Sequence, residues 1–453
     1  MKNGKIFTYL IAAAILLSSC GKDDKPDVIN NAPEELSGNI SANKTLTADR
    51  EWFLKGTVYV TSGATLTIEP GTVIKGYVPK TTAELSLKGT LVIERGAKIM
   101  ADGKNPNTPI VFTSGLPAGQ RRPGDWGGVV LLGKATNNQG ANVRIEGGIG
   151  RDYGGTDDAD NSGVMRYVRI EFAGISSEPG SEINSLTLGS VGSGTTIEYI
   201  QTAYANDDAY EFFGGTVNAK YLVSYATADD DFDFDFGYRG KIQYAVSLRN
   251  PRFVDSADPG NGIECDNDKN GTEATPKTRP VLSNFTFVGP NNAEGTAANH
   301  NFANRWRKSA QFVLNNSILL GYQKAGLSLE SDGTNNSYVA GTSEFKNNLV
   351  FAVAEPFKTD KPGIITAAAM QVKAIADGNV VLPAAADVKL TSAFNLTAPN
   401  FLPATGSPAL QGTFANMNNA FFTTTTYRGA FGTTNWLQGW SNFNFTATAE
   451  GTY

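Results

Sequence analysis

A chain of 453 residues can hold two or three domains, or one elongated fold assembled from stacked repeats. Its formal charge of -6, from 38 basic and 44 acidic side chains, offers no basic stripe for phosphates and argues against a nucleic-acid partner. A single His excludes zinc sites built from two or three imidazoles, and any Ser-His-Asp triad would have to use His300, which sits in a polar run that reads as a loop.

The chain opens with Lys2 and Lys5, followed by an apolar run from Leu10 to Leu17 that is too short to span a bilayer permanently. Residues 1–19 therefore read as a signal peptide. The segment Leu17-Ser18-Ser19-Cys20 resembles a bacterial lipobox, which implies cleavage before Cys20, acylation of Cys20 and a membrane partner held through lipid. Cys265 is then left without a disulfide partner. Gly21, Lys22, Asp23 and Asp24 resemble the export signal of surface-exposed lipoproteins of the Bacteroidota, implying an outer-membrane protein that faces outward. Residues 20–39, rich in Asp, Lys, Pro and Asn, read as the acylated Cys and a flexible tether. Residues 40–453 are expected to form one β domain, with Leu46, Trp52, Phe53 and Leu54 covering its first rung.

Hydrophobic residues at 40%, Gly at 49 and short runs of Val, Thr, Phe and Tyr indicate an all-β fold. Two repeats follow. Residues 63–76 align with 88–101, bringing Leu66 onto Leu91, Ile68 onto Ile93 and Glu69 onto Glu94, so the two Glu are expected to stack beside a turn. Between Ile197 and Leu248 a fixed slide of about two dozen residues brings Asp208 onto Asp231, Phe213 onto Phe236, Tyr221 onto Tyr244 and Ser224 onto Ser247. Such a period means stacked units. Asp231, Asp233 and Asp235 alternate with Phe232, Phe234 and Phe236, the period of a strand with one buried face. The Phe side is expected in the core and the Asp side outside. A carboxylate cluster on adjacent rungs, about 4.8 Å apart, repels itself unless Lys or Arg neighbours or a hard cation such as Ca²⁺ absorb the repulsion.

Two Gly- and Asp-rich excursions interrupt the repeats. Residues 145–163 hold Asp152, Asp157, Asp158 and Asp160, and residues 255–280 hold Asp266, Asp268, Asn270 and Gly271 in the opening pattern of a calcium loop. Lys277 stands where that loop needs a bidentate Glu, so a plain Asn/Asp turn is the competing reading. Asn315, Asn316, Asn347 and Asn348 suit turns, where left-handed backbone is tolerated and amides can stack. Ile364 to Asp377 reads as a helix over the coil's end, and Phe421, Trp436, Trp440 and Phe443 as aromatics that close it.

The phrases ATLTIEPGTVIKG (64–76), PIVFTSG (109–115), GDWGGVVLLGKA (124–135), SGVMRYVRIEFAG (162–174) and DDAYEFFGGTVNAKYLV (207–223), with GSPALQG (406–412) and YRGAFG (427–432), resemble a family of Bacteroidota lipoproteins. The resemblance implies a right-handed parallel β-helix with capped ends, of pectate-lyase-like architecture. It leaves the biochemical role open. One reading is a non-catalytic binding, adhesion or uptake-accessory protein for a glycan or protein partner, with Tyr204, Tyr238, Arg239 and Arg249 among the contacting residues. The other is a Ca²⁺-dependent polysaccharide lyase or a glycoside hydrolase, with Asp207, Asp208, Asp230 and Asp231 as its carboxylates, although the Gly-His-Gly and Arg-Ile-Lys segments of polygalacturonases do not occur. Candidate metal ligands are Asp208, Asp231, Asp233, Asp235, Asp266, Asp268 and Asn270.

Overall fold

The computed structural model describes residues 32–174 and 183–445, together with Met1. Residues 2–19 of the expected signal peptide, and Cys20, lie outside the described residues. Strand after strand shows the same burial rhythm: Glu51–Leu54, Thr57–Val60 and Thr65–Ile68 each alternate a half-buried with a buried residue. A strand with one apolar face must lay it against other strands, and here each segment lies parallel to the corresponding segment of the next coil. The pairings assemble a 17-stranded and an 11-stranded sheet, both parallel throughout, around one continuous apolar core. The fold is all-β, a parallel β-helix. Its first strand, Glu34–Leu36, pairs with Glu51–Leu54 and so begins inside the stretch expected to be tether; Trp52 lies under a preceding coil rather than on the end.

In the middle coils an eight-residue strand such as Thr196–Ala203 serves two faces of the coil, bending at Tyr199. Tyr167, Tyr199, Tyr221, Tyr244, Asn284, Asn316 and Asn347 occupy equivalent corners, all with positive φ, from 51° at Tyr167 to 64° at Tyr244. Asn tolerates this backbone; Tyr adopts it here because the rings stack in a column, with centroids 4.4, 4.2 and 5.0 Å apart along Tyr167, Tyr199, Tyr221 and Tyr244.

The C-terminal aromatics do not close the end. The tail runs back along the flank of the coil, with Ala415 donating its N–H to Asn316 Oδ1 (2.7 Å), Thr423 to Gln243 Oε1 (2.8 Å) and Asn442 to Gln201 Oε1 (2.7 Å). Asn316 and Asn347 therefore bond the tail, while Asn315 and Asn348 accept from the backbone of adjacent coils, at Lys346 N–H (2.9 Å) and Ser317 N–H (2.7 Å). Trp440 is fully buried, edge-on to Tyr167 (6.0 Å) and Tyr199 (5.9 Å), and Trp436 meets Tyr221 at 5.4 Å. The tail is placed by the Tyr column, which exposes aromatic faces along the side of the stack. Trp440→Ala should therefore cost about 3–5 kcal/mol in chemical denaturation and free the tail for proteolysis; a loss under about 1 kcal/mol would mean the tail adds little to stability. The end itself is covered by helix. Of the two α-helices described, α1 (Asp332–Val339) was not foreseen, and α2 (Ala367–Ala376) lies within the expected segment and sends Met370 and Ala374 into the main core.

Two register expectations are corrected. Leu66 pairs with Ile99 and Leu91 with Val58, so residues 63–76 and 88–101 begin on different faces of the coil. Both faces demand the same alternation, and the likeness reported period rather than register. Glu69 accepts instead from Ala48 N–H at 3.0 Å, and Glu94 pairs with Arg151. In the central coils Ser224 does pair with Ser247, and Tyr221 stacks on Tyr244. In the 11-stranded sheet, however, Phe213 pairs with Asp235 and not Phe236. The corner from Asp235 to Lys241 is one residue longer than that from Phe213 to Asn218, so a single slide cannot hold on both sheets. Phe232 and Phe234 are fully buried as expected, while Phe236, at φ 50°, turns outward onto Phe213.

Candidate functional site

The strands Tyr210–Phe213, Phe232–Asp235 and Glu264–Cys265 lie on successive coils of the 11-stranded sheet. Their inward residues are Tyr210, Phe212, Phe232, Phe234 and Cys265, all fully buried. Alternation then forces the intervening residues outward, and register stacks Glu211 on Asp233 and Asp233 on Glu264. A second file stands at the turn before these strands, where Asp230 donates its N–H to Asp208 Oδ1 at 2.8 Å and Asn261 donates its N–H to Asp230 Oδ1 at 2.6 Å.

Together they form three carboxylate triads, Asp207/Asp208/Asp229, Asp208/Glu211/Asp233 and Asp230/Asp233/Glu264, each with ligand oxygens within 4.8 Å of one another. Because Asp208 and Asp233 are shared, the triads make one acidic column. Among the described residues no Lys or Arg lies within ion-pair distance of Asp208, Glu211, Asp230, Asp233 or Asp235. Burial, and then the neighbouring carboxylates, push all five well above the ordinary carboxylate range. At one end Asn184 donates to Glu211, while its own Oδ1 is enclosed without a partner; Asp233 Oδ1 is likewise enclosed and unpartnered. An unsatisfied buried oxygen is costly, and an all-oxygen donor set suits a hard cation. These residues fit such an ion and can hold one.

The other end of the column is cationic. Arg305 bonds Glu264 (3.0 Å) and Glu330 (2.9 Å), Arg307 bonds Glu264 and Asp266 (2.7 Å to the latter), and Lys308 bonds Asp266 at 2.6 Å. On the far side the 145–153 excursion packs on the same sheet, with Tyr153 buried against Phe213 at 6.1 Å.

Several expected site residues go elsewhere. Asp231 is in the interior, accepting from Ser224 Oγ (2.6 Å) and Tyr322 OH (3.1 Å) and facing Arg249 at 3.5 Å, so neither Asp231 nor Arg249 reaches a ligand. Its carboxylate was assigned outward because the alternation was extended one residue past the strand's start at Phe232. Asp235 and Asp266 lie beside each other, next to the column, and Asp266 is neutralised by Arg307 and Lys308. Asp268 accepts from Asn270 N–H (2.8 Å) and Thr272 Oγ1 (2.5 Å), and Lys277 pairs with Glu273 at 2.8 Å. Within the 255–280 excursion the Asp268 oxygens are thus taken by its own turn and those of Asp266 by Arg307 and Lys308, the arrangement of an Asn/Asp turn. Tyr238 is buried with its hydroxyl on Val217 O (2.9 Å), and Arg239 clamps Asp158 at 2.6 Å. Tyr204 stacks on Phe172 at 5.4 Å in a 480 Å³ cavity with Phe253, Phe445 and Arg122. His300 is buried with Nε2 at 3.2 Å from Pro251 O, and burial followed by Arg249 pushes it down to about 3. Glu211, Asp229 and Glu264 were missed. The slide that sets Asp208 on Asp231 sets Glu211 on Phe234, and only the shorter register of this sheet brings Glu211 onto Asp233.

A parallel β-helix with an acidic column on the outer face of its shorter sheet is the class the geometry defines. The profile of the pectate-lyase-like beta helix domain matches residues 38–388, and the chain belongs to that family. A search of curated proteins found no match, and a search of solved structures found none either.

Proposed function

We propose that this chain is a lipid-anchored protein of the outer cell surface whose acidic column holds Ca²⁺ and binds a carboxylated glycan. The observation that carries the reading is the enclosed, unpartnered Asp233 Oδ1 amid three carboxylate triads. Asp208, Glu211, Asp230 and Asp233 would be the ligands. Calcium bound there would supply positive charge to which sugar carboxylates can coordinate, and the sheet beneath holds the ligands rigid. The anchor rests on the lipobox-like Leu17–Cys20 and the acidic export-like residues behind it. A glycan, rather than a protein, is favoured because the column is a file of repeated charges, which matches a polymer of repeated charges.

The test is binding of oligogalacturonate to the mature chain with Ca²⁺ and with EDTA. Binding should require Ca²⁺ and fall about tenfold or more in the Asp208→Asn, Asp233→Asn double variant; binding indifferent to both would end the reading. Cys20→Ala should release the protein from membranes, and continued retention would count against the anchor. The second reading, cleavage, is favoured by the family's fold and by Arg305 and Arg307 at the column's end. Both guanidiniums, however, are raised by their carboxylate partners, despite burial, and hold their protons, which disqualifies them as bases in this arrangement. Release of unsaturated or reducing sugars, abolished in the double variant, would replace binding with catalysis.

A further inference from the structure

The 17-stranded sheet carries a second site of opposite charge. Its outer face and the returning tail enclose a groove of 550 Å³, lined by Lys241, Val281, Val313, Glu344 and Lys346 on the sheet, Arg279 just before the strand that Val281 begins, and Asn416 to Asn419 on the tail. Lys241 pairs in register with Val281, Val281 with Val313 and Val313 with Glu344, so the floor crosses four coils, about 14 Å along the stack. Lys346 is matched by Glu344 at 2.9 Å. Lys241 has no carboxylate within ion-pair distance among the described residues, and Arg279 donates from Nε and Nη2 to a neutral acceptor, the Thr342 carbonyl, at 3.2 and 3.0 Å. Lys241 and Arg279 therefore line the groove unpaired beside the Glu344–Lys346 pair, which lines it too, so three cations meet one carboxylate there, in a chain whose net charge is -6.

The tail supplies the other half. Asn416 and Asn419 accept through their side-chain oxygens from Asn418 N–H (2.9 Å) and Phe421 N–H (3.0 Å), and neither amide nitrogen donates to any described residue. Between Lys241 and Glu344 the floor is made of Val281 and Val313, and Phe422 also lines the groove. We propose that this groove binds a saccharide bearing a carboxylate or sulfate. An inorganic anion would use the cations and ignore the floor, and a neutral sugar would leave the cations unanswered. A ring whose C–H face lies on Val281 and Val313, with hydroxyls toward the tail amides and an oxyanion toward Lys241 and Arg279, uses all three features.

The site needs no metal, so its test runs in EDTA, where the acidic column is silent and failure of one reading leaves the other standing. The mature chain is titrated with oligogalacturonate, a heparin-type sulfated oligosaccharide, a neutral dextran oligosaccharide and inorganic sulfate. At least one anionic saccharide should bind about tenfold tighter than dextran and sulfate, and which one binds identifies the oxyanion. The Lys241→Gln, Arg279→Gln double variant should lose about tenfold in that affinity with its melting temperature unchanged. Should that variant melt early, Asn419→Asp, on the exposed tail wall, should still weaken binding severalfold by placing a carboxylate opposite the ligand's. No binding by either anionic saccharide, equal binding of dextran or sulfate, or unaltered affinity in the variants would each overturn the proposal.

Discussion

Calcium should raise the melting temperature of this protein at neutral and mildly alkaline pH, and in its absence acidification should do the same. The carboxyls of Asp208, Glu211, Asp230, Asp233 and Asp235 are all held above their ordinary values by burial and by one another. In the unfolded chain they titrate near about 4. For an acid whose folded value is raised, the stabilising contribution is complete below the unfolded value and is lost as pH rises through the folded one. Metal-free protein should therefore gain stability as pH falls from mildly alkaline values toward the unfolded carboxylate range, the reverse of ordinary acid weakening. Calcium at a hundredfold excess over its dissociation constant adds about 2.7 kcal/mol, and more if several ions bind. The Asp208→Asn, Asp233→Asn variant should be the more stable protein at pH 8 without metal and should ignore calcium. Calorimetric melts across pH, with and without Ca²⁺, decide the matter. A metal-free melting temperature that falls steadily with acid, together with no response to calcium, would remove the basis for a cation at the column.

The architecture was legible because a β-helix repeats its demands: each coil needs inward residues at period two and a turn at each corner, so Phe232 and Phe234 and Tyr221 over Tyr244 could be read from spacing, while the helix at Ala367–Ala376 was read from its Ala- and Met-rich composition. What could not be read was which copy lies on which. Corner lengths vary by a residue, and one residue moves Asp208 from Asp231 to Asp230 and separates two carboxylates that the sequence pairs. The calcium-loop pattern at Asp266–Gly271 was ambiguous for a different reason: short Asp side chains bond their own backbone as readily as a metal, and the pattern is the same in either case. The returning tail was invisible because aromatics at the end of a chain are equally suited to the end of a coil or to its flank, and only the Tyr column, a feature of folded corners, selects the flank.

Replacing Arg249 should destabilise the protein by about 3–5 kcal/mol, the cost of leaving a buried charge without its partner. Arg249 and Asp231 are wholly enclosed, and around them Ser224 and Tyr322 donate to the carboxylate. Arg249→Met removes the guanidinium and strands Asp231, whose carboxyl burial has already raised. Arg249→Met with Asp231→Leu should recover part of the loss, since an apolar pair of similar volume suits such a site. Recovery should stay incomplete, because Arg249 Nη1 also bonds the carbonyls of Asp229 and Asn261 (3.1 Å to the latter), and Asn261 N–H in turn holds Asp230. The guanidinium thus fixes from below the turn that presents Asp229 and Asp230 to the acidic column. The double variant should therefore show a second defect that stability alone would not produce: calcium affinity weakened severalfold in folded protein, measured by titration well below the melting temperature. Denaturant unfolding of the single variant within about 1 kcal/mol of the parent would contradict the buried-pair account, and unchanged calcium affinity in the double variant would detach the core from the column it supports.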